Sequence, residues 1–425
     1  MRSKPASVPK PPAGRFAPGW GILLVVLWLG QFPDGLAAQT WFTNAFLPST
    51  SPASVPAGQR PSFLQAGPIL VDLAATAAIE YTDNVDFSPV GQPGTELSAG
   101  IQFGAAWQAL RAVQLELTGS WLVNEWLSGH GPNQQTLTIA PGSTLRYTIS
   151  VDIVQVIPFV NLSRTYDPSL APTVGNTAIF QQSSYDGGLQ VAVPMNHLRL
   201  ELMGLRGLVI SSGIGMGNTD TDRKLASARL VREFNPRLQA GVEYYAVAEN
   251  FRNAPAERSS STTERIFGIA QLTTNLRLEI ALGLEASHYA QPVIAADSTR
   301  HTQMIGDLTL SDRVRQNLTG VLHISDQVAD NFTTDYYRTL SVAFSAAFRF
   351  NPRTTFTLET NWQQIEQSVR AEGTGDFWRN TARFEYTVSD KLSLHLEARS
   401  LSNQVTAAGL GYRQNVLELG ANRRF

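Results

Sequence analysis

Apolar and polar residues alternate with a period of two along most of the chain. Between Lys391 and Arg399, the apolar residues Leu392, Leu394 and Leu396 fall on one face, and polar or ionisable residues fall on the other. Successive side chains alternate between the two faces of a β-strand, whereas a helix repeats about every 3.6 residues. The same alternation recurs from Leu70 onwards. The sequence therefore predicts a protein made almost entirely of strands.

The predicted strands are joined alternately by short turns and by longer polar connectors. The short turns are predicted near Leu110, Val151, Met195, Pro236, Asn275, Arg313, Pro352 and Asp390. The longer connectors are Asp83 to Gly94, Tyr166 to Thr177, Ser211 to Asp222, Asn250 to Thr262 and Gln291 to His301. The short turns recur about every 40 residues, which is the length of two strands with their connections. Nine hairpins, and hence about 18 strands, are predicted.

A count of 16 strands is the alternative prediction. The turn near Leu110 contains neither glycine nor proline, so the strands on its two sides are less clearly separated. In addition, Pro141 and Pro158 fall inside predicted strands. Proline has no backbone N–H to donate, and it is therefore unfavourable within a ladder.

One predicted turn occurs twice with the same four residues. Phe-Asn-Pro-Arg is found at 234–237 and again at 350–353, and an alternating strand follows each copy. Proline sets the backbone angle of a turn, and the asparagine side chain caps it. We expect the aromatic residue before each turn to lie at a membrane interface, where rings bridge hydrocarbon and headgroups.

The alternation also predicts which face of each strand contacts lipid. A lipid-contacting face cannot carry Arg or Lys at the membrane midplane without a penalty of about 2–4 kcal/mol. The apolar face must then point outward and the polar face inward. We therefore predict an all-β, transmembrane, antiparallel up-and-down barrel, with short turns in the periplasm and long loops outside. A secreted β-sandwich or β-solenoid would instead have short connections at both ends and a core of large apolar residues.

The same rule selects side chains for the interior of the barrel. It places alternate residues such as Leu278, Ile280 and Leu282 at the lipid and assigns Glu116, Glu243 and Glu359 to the interior. The candidate lumen-lining residues are Arg146, Arg277, Glu279, Arg383, Glu385 and Arg399. Because both signs of charge are present, these residues either screen solutes or pair with one another and narrow the channel.

The N-terminal part of the chain has a different character. Residues 1–38 combine positive charges, a short apolar core from Ile22 to Leu29 and small residues up to Ala38, as in a cleaved signal peptide. Residues 39–67 are rich in proline, serine and alanine and predict an irregular periplasmic leader or, alternatively, a plug in the lumen. Residues 68–425 are assigned to the outer-membrane barrel.

Composition excludes several classes of protein. Lys and Arg (33) nearly balance Asp and Glu (35), so the chain lacks the basic surface that nucleic acid requires. After the first forty residues, no apolar run approaches the roughly 20 residues of a membrane-spanning helix. The chain has no cysteine, which excludes disulfides, thiolate metal sites and a lipid-modified N-terminal cysteine. The six histidines are scattered singly, and we expect no metal and no cofactor.

Two stretches of the chain carry a family resemblance. The segment from Ala78 to Val85, which reads Ala-Ile-Glu-Tyr-Thr-Asp-Asn-Val, resembles the end of the first strand in a family of outer-membrane β-barrel porins often encoded beside exopolysaccharide export systems. The closing strand is similar to the signal that the outer-membrane assembly machinery reads, and its residues are Leu417, Leu419, Ala421 and Phe425. Arg423 departs from that signal, because an apolar or aromatic residue is usual there.

These observations lead to functional expectations. We expect a non-enzymatic barrel in the bacterial outer membrane that acts as a passive diffusion pore, with exopolysaccharide export as the context that the resemblance implies. Its expected partners are outer-membrane lipid, the assembly machinery and components of an export complex. One alternative is a non-conducting barrel that serves as a partner in that complex. A minor alternative is a hydrolase at the extracellular rim, with Asp222, His288 and His301 as candidates.

Overall fold

The computed structural model describes twelve stretches of the chain, which begin after the predicted signal peptide and most of the predicted leader. They are residues 64–66, 69–85, 90–110, 112–127, 134–166, 181–212, 220–252, 258–290, 300–330, 336–367, 374–405 and 411–425. The predicted signal peptide and nearly all of the predicted leader or plug lie outside these residues. Within them, no helix is long and apolar enough to cross a membrane.

The described residues form twenty strands in chain order. The strands are β1 (Leu64–Ala66), β2 (Ile69–Thr82), β3 (Gly94–Leu110), β4 (Val113–Trp126), β5 (Gln134–Tyr147), β6 (Ile149–Val151), β7 (Val154–Tyr166), β8 (Gln181–Met195), β9 (Leu198–Ser212), β10 (Thr221–Asn235), β11 (Leu238–Phe251), β12 (Arg258–Gln271), β13 (Leu276–Tyr289), β14 (Arg300–Arg315), β15 (Leu318–Asp330), β16 (Tyr336–Asn351), β17 (Thr354–Gln367), β18 (Thr374–Ser389), β19 (Leu392–Val405) and β20 (Tyr412–Arg424).

Each long strand pairs with the long strands next to it in the chain, and the last long strand, β20, pairs with the first, β2. β1 and β6 have three residues each, and the other eighteen strands have thirteen or more. All ladders are antiparallel, and β2 pairs with both β3 and β20, so that the sheet closes on itself. The prediction of a closed 18-stranded antiparallel barrel is therefore confirmed, and the 16-strand alternative is wrong.

The short turns all lie at one end of the barrel. Seven of the eight are found where they were predicted, and they connect β3 to β4, β6 to β7, β8 to β9, β10 to β11, β12 to β13, β16 to β17 and β18 to β19. The prediction near Arg313 is displaced, since β14 continues to Arg315 and the turn occupies residues 316–317. The predicted connector from Asn250 to Thr262 is also too long, because β12 already begins at Arg258.

The repeated Phe-Asn-Pro-Arg sequence forms the same capped turn twice. The Oδ1 atom of Asn235 accepts a hydrogen bond of 2.8 Å from the backbone N–H of Arg237. Asn351 accepts the equivalent bond of 2.9 Å from Arg353. The aromatic residue before the second turn, Phe350, is exposed and packs edge-on against Phe348 at 4.5 Å between ring centroids. The predicted asparagine cap is confirmed in both copies.

The two prolines that favoured 16 strands are accommodated by irregular ladders. Pro141 lies in a bulge of β5, where the pairing with both β4 and β7 is interrupted, and Gly142 adopts φ 96°. Such a left-handed angle suits glycine, which has no Cβ. The Ser143 hydroxyl accepts a hydrogen bond from Thr118 N and donates one to Thr118 O, at 3.2 and 3.3 Å. Pro158 pairs with β8 at the point where β5 gives way to β6.

The two faces of the wall differ in chemistry. Large apolar side chains are exposed at alternate positions, for example Ile280, Leu282 and Leu284 on β13 and Leu417 and Leu419 on β20. Several charged and polar side chains at the intervening positions of the sheet are buried, including Asp186, Arg223, Glu243, Arg265, Ser287, His323 and His395. The apolar face is therefore the convex outer surface, and the polar face lines the inside of the barrel.

Some inward-facing positions must be glycine because a neighbouring side chain occupies their space. A Cβ atom on Gly241 would lie 2.1 Å from the Leu230 carbonyl oxygen and 2.7 Å from the Phe267 ring. We expect Gly241→Ala to lower the free energy of unfolding by about 1–3 kcal/mol through overpacking. Gly204→Ala is the matched control, because nothing lies within 4 Å of its added Cβ. Urea unfolding in detergent, followed by tryptophan fluorescence, measures both, and equal stabilities would contradict the expectation.

Candidate functional site

The inner wall carries two networks of charged residues, and the first crosses the closure of the barrel. Arg399 on β19 forms ion pairs with Glu80 on β2, with Glu397 at 3.1 Å and with Glu418 on β20 at 3.3 Å. Arg383 on β18 lies 3.4 Å from Glu397. His395 extends the same group and lies 2.8 Å from Glu418. The network thus links four neighbouring strands, β18, β19, β20 and β2.

The second network lies on β9 to β12 and is centred on Glu243. Arg265 donates two hydrogen bonds to Glu243 Oε2, at 3.0 and 2.8 Å, and the Tyr245 hydroxyl donates a third at 2.7 Å. The Nε atom of Arg229 lies 2.9 Å from the other carboxylate oxygen, Oε1. Arg229 also stacks on the Phe267 ring at 4.2 Å. The Glu243 side chain is only 2% exposed, so one carboxylate holds two arginines in a water-poor setting.

A third, smaller contact joins β8 to β10 across the strand between them. Asp186 and Arg223 form an ion pair of 3.0 Å, and both side chains are nearly fully buried. Gly207 on β9 lies opposite both residues in the ladders. A Cβ at Gly207 would lie 2.0 Å from the Asp186 carboxylate. The absence of a side chain at Gly207 therefore provides the space in which the two charges meet.

The candidate lumen-lining residues divide into two groups. Arg383 and Arg399 join the first network, and Arg277 pairs with Glu279 two positions along β13, at 2.8 Å. Arg146 on β5 and Glu385 on β18 are not brought into either network among the described residues. Of the other predicted interior residues, Glu243 becomes the centre of the second network.

Sequence reasoning did not select most residues of the second network, nor the two residues of the smaller Asp186–Arg223 contact. Asp186, Glu201, Arg223, Arg229 and Arg265 all pair with residues on other strands, at separations that follow from the register of the ladders. A two-residue alternation shows which face of a strand a residue occupies, but it does not specify the register between two strands. The one usable signal was the presence of isolated inward glycines, such as Gly207 and Gly241, next to charged or aromatic positions on adjacent strands.

The inner wall also contains apolar side chains. Leu205 and Leu225 form a buried cluster with Phe159, Met203 and Val247 on β7 to β11. Towards the long-connector end, further inward-facing apolar residues are buried, namely Phe251, Tyr289, Ile365, Phe377, Leu401 and Val416. Most of these residues lie within four positions of the strand end, on β11, β13, β17, β18, β19 and β20. Buried polar residues such as Ser259, Asn403 and Gln414 lie at the same end, so the lumen surface there mixes apolar and uncharged polar side chains.

The residues considered for a rim hydrolase are not brought together. Asp222 on β10 is bound by Arg252, which donates hydrogen bonds of 3.0 and 3.1 Å to its two carboxylate oxygens. His288 on β13 shares the outer face with Leu282 and Leu284. His301 on β14 lies opposite the buried, inward-facing Ser287. These three side chains are thus divided between the two faces of the wall.

The fold and the chemistry of its two faces define the class of protein. In a closed antiparallel barrel, the backbone hydrogen bonds are satisfied between strands, and no edge is left exposed to lipid. An apolar outer surface and a polar interior complete the description of a transmembrane barrel. The protein is thus a β-barrel of the bacterial outer membrane.

Solved structures of Pseudomonas aeruginosa outer-membrane proteins are similar to this barrel. OccK2 (OpdF), solved in complex with glucuronate, has a TM-score of 0.48 at 13% identity, over 84% of this chain and 98% of its own. OccK7 (OpdD) has a TM-score of 0.45 at 12% identity, over 85% and 99%. OpdQ has a TM-score of 0.46 at 10% identity, over 85% and 100%. This degree of likeness carries no information about a solute. Neither a protein-family model nor a curated protein sequence matches the chain.

Proposed function

We propose that the barrel is a passive diffusion channel for small polar solutes across the outer membrane. The observation that carries this proposal is the combination of eighteen long strands with a charged inner wall. A barrel of 16 to 18 strands encloses a space too wide for its own side chains to fill, and such barrels leave an aqueous channel. A wall bearing charges of both signs favours water and polar solutes over hydrocarbon.

The ion pairs determine how the wall would act on a solute. Glu243 is neutralised by two arginines, and Arg399 is held among three carboxylates, so each network keeps its side chains against the wall. Paired charges present a smaller field to a passing ion than single charges do. We infer weak selectivity by charge, with selection mainly by size. In this proposal the six candidate lumen-lining residues form part of the inner wall. Among the arginines of the first network, Arg383 has the more exposed side chain.

Conductance in a planar bilayer tests the proposal directly. Refolded protein is expected to give stepwise, ohmic conductance with a modest preference between potassium and chloride, because the wall carries both signs of charge. A second preparation that lacks residues 39–63 tests the predicted plug. If these residues block the lumen, the shortened protein is expected to have a higher conductance than the full-length protein. Reconstituted, folded protein without any ohmic steps in either form would refute the channel.

A second candidate function is a non-conducting partner barrel in exopolysaccharide export. It is favoured by the resemblance of the Ala78 to Val85 segment and by the buried apolar residues, such as Phe377, at the outer end of the lumen. A partner barrel is expected to co-purify with an export component and to be silent in the bilayer. A conducting barrel that co-purifies with no such component would exclude this candidate and leave the diffusion channel.

A further inference from the structure

A row of positions that includes several basic side chains lies on the outer face of the barrel near the long-connector end. Arg206 on β9 and Lys224 on β10 are direct partners in the ladder. The row continues through Ala248 and Ser260 to His288 and Arg300, each opposite the next on successive strands. Arg258 and the rim residue Arg252 lie beside it on β12 and at the end of β11.

The strand period shows that this row faces the membrane and not the lumen. Arg206 shares its face of β9 with Leu202 and Ile210, which are exposed apolar residues. Lys224 shares its face of β10 with the exposed Leu230, whereas the neighbouring Arg223 and Leu225 are buried on the inner side. Both Arg206 and Lys224 are exposed in the isolated chain.

Asp222 lies close enough to attract Arg206 and Lys224, but its carboxylate is already paired with Arg252. Asp222 is held by two hydrogen bonds from Arg252, and Arg258 donates to the neutral Asn250 at 3.0 Å. Glu264 lies on the same face but four residues further towards the short-turn end than Ser260, beside Tyr244. In the described part of the chain, neither Arg206 nor Lys224 has a hydrogen bond or an ion pair. Two cations thus point at the membrane with no anion of the protein in contact with them.

Such an arrangement is favourable only where the membrane itself supplies the anion. Basic side chains on the lipid face cost about 2–4 kcal/mol at the midplane and about 0–1 kcal/mol near an interface. Lys224 is the fourth residue from the outer end of β10, and its ladder partner Arg206 is the seventh from the outer end of β9. Long basic side chains extend along the wall towards the nearer interface, so both charged groups reach towards the outer headgroup region. The glycolipid of the outer leaflet carries phosphate there, and an arginine binds phosphate through two parallel hydrogen bonds.

We propose that Arg206 and Lys224 form a binding site for the phosphate of an anionic glycolipid of the outer leaflet. Arg258, two strands away on β12, adds positive potential beside the site, which attracts anionic headgroups, and Arg300 continues the row four strands from Lys224. The site is independent of conduction, because it lies on the other side of the wall. It would fix a lipid against β9 and β10 and anchor this side of the barrel.

A binding experiment on the detergent-solubilised, refolded full-length protein tests the site. The probes are bis-phosphorylated lipid A, the same lipid without phosphate, and phosphatidylglycerol, each at increasing concentration with bound lipid counted by native mass spectrometry. The wild-type protein is expected to prefer phosphorylated lipid A over the dephosphorylated lipid. The variant R206Q/K224Q is expected to lose about tenfold or more of that affinity. The single variant K224Q, expected to show a smaller loss, serves if the double variant fails to fold.

The control variant is Arg338→Gln, which removes an outward arginine at the outer end of β16. Arg338 is already paired with Asp326, so its loss is expected to leave lipid A binding unchanged. Equal binding by the wild type and R206Q/K224Q would overturn the proposal, as would equal loss in the control. Stronger binding of phosphatidylglycerol than of lipid A would place a phospholipid at the site instead. If the wild type forms dimers and R206Q/K224Q abolishes them without changing lipid binding, the occupant of this face is a second copy of the chain.

Discussion

Replacing Glu243 with alanine is expected to cost the barrel about 3–5 kcal/mol of unfolding free energy, because removal of one partner leaves buried charge unpaired. Glu243 is the shared acceptor for Arg265, Tyr245 and Arg229, and it is almost fully buried. Without it, two guanidinium groups remain close together and poorly solvated. Two experiments measure the change. The first is the temperature at which the folded barrel's band disappears when heated samples are run on a cold gel, and the second is urea unfolding in detergent.

The matched control for this variant is Glu279→Ala on β13. Glu279 also pairs with an arginine, at 2.8 Å, but its side chain is 38% exposed. Exposed ion pairs are worth about 0–1 kcal/mol, so this substitution is expected to change stability little. If both variants unfold at the same urea concentration as the wild type, the Glu243 network does not stabilise the barrel as argued.

Replacing Arg399 with glutamine is expected to produce the largest change in permeation. Its side chain compensates Glu80, Glu397 and Glu418, which come from three strands of the inner wall. Without the guanidinium, Glu80 loses its cationic partner and Glu397 keeps only Arg383, so the patch becomes more acidic. Carboxylate rings favour cations in channels, so the reversal potential in a potassium chloride gradient is expected to shift towards cation selectivity.

The control for Arg399→Gln is Lys391→Gln, in the turn before β19. It removes the same formal charge from the protein but lies at the short-turn end, outside the network. Its reversal potential is expected to match that of the wild type. An equal shift in the two variants would mean that net charge, and not the local patch, controls selectivity.

The fold could be predicted from the sequence because its strongest determinant is local. Alternation of apolar and polar residues identified the strands, and the spacing of turn residues gave their number. The misplaced turn shows the limit of that reasoning. The alternation continues past Arg313, the register shifts between Asp312 and Arg315, and the true turn at 316–317 contains no proline or glycine. One weak sign in the local composition is Asn317, because asparagine is common in turns.

The site could be predicted only in part, because ion pairs across strands depend on register and closure. The Arg277–Glu279 pair lies within one strand and follows from the alternation alone. The contact between Arg399 and Glu80 joins residues 319 positions apart, and it exists because the first and last long strands pair. The alternation assigns a face of the strand to each residue, but it does not assign a partner on another strand.

The bulge at Pro141 has a mechanical consequence for the whole cylinder. Elsewhere in the wall, force directed around the circumference passes from strand to strand through main-chain ladders. Between β4 and β5, part of that path runs instead through the hydroxyl of Ser143, which bridges to Thr118. A single side-chain contact deforms more easily than a backbone ladder. When lateral pressure in the bilayer changes the circumference of the barrel, we therefore expect the deformation to be largest at this contact.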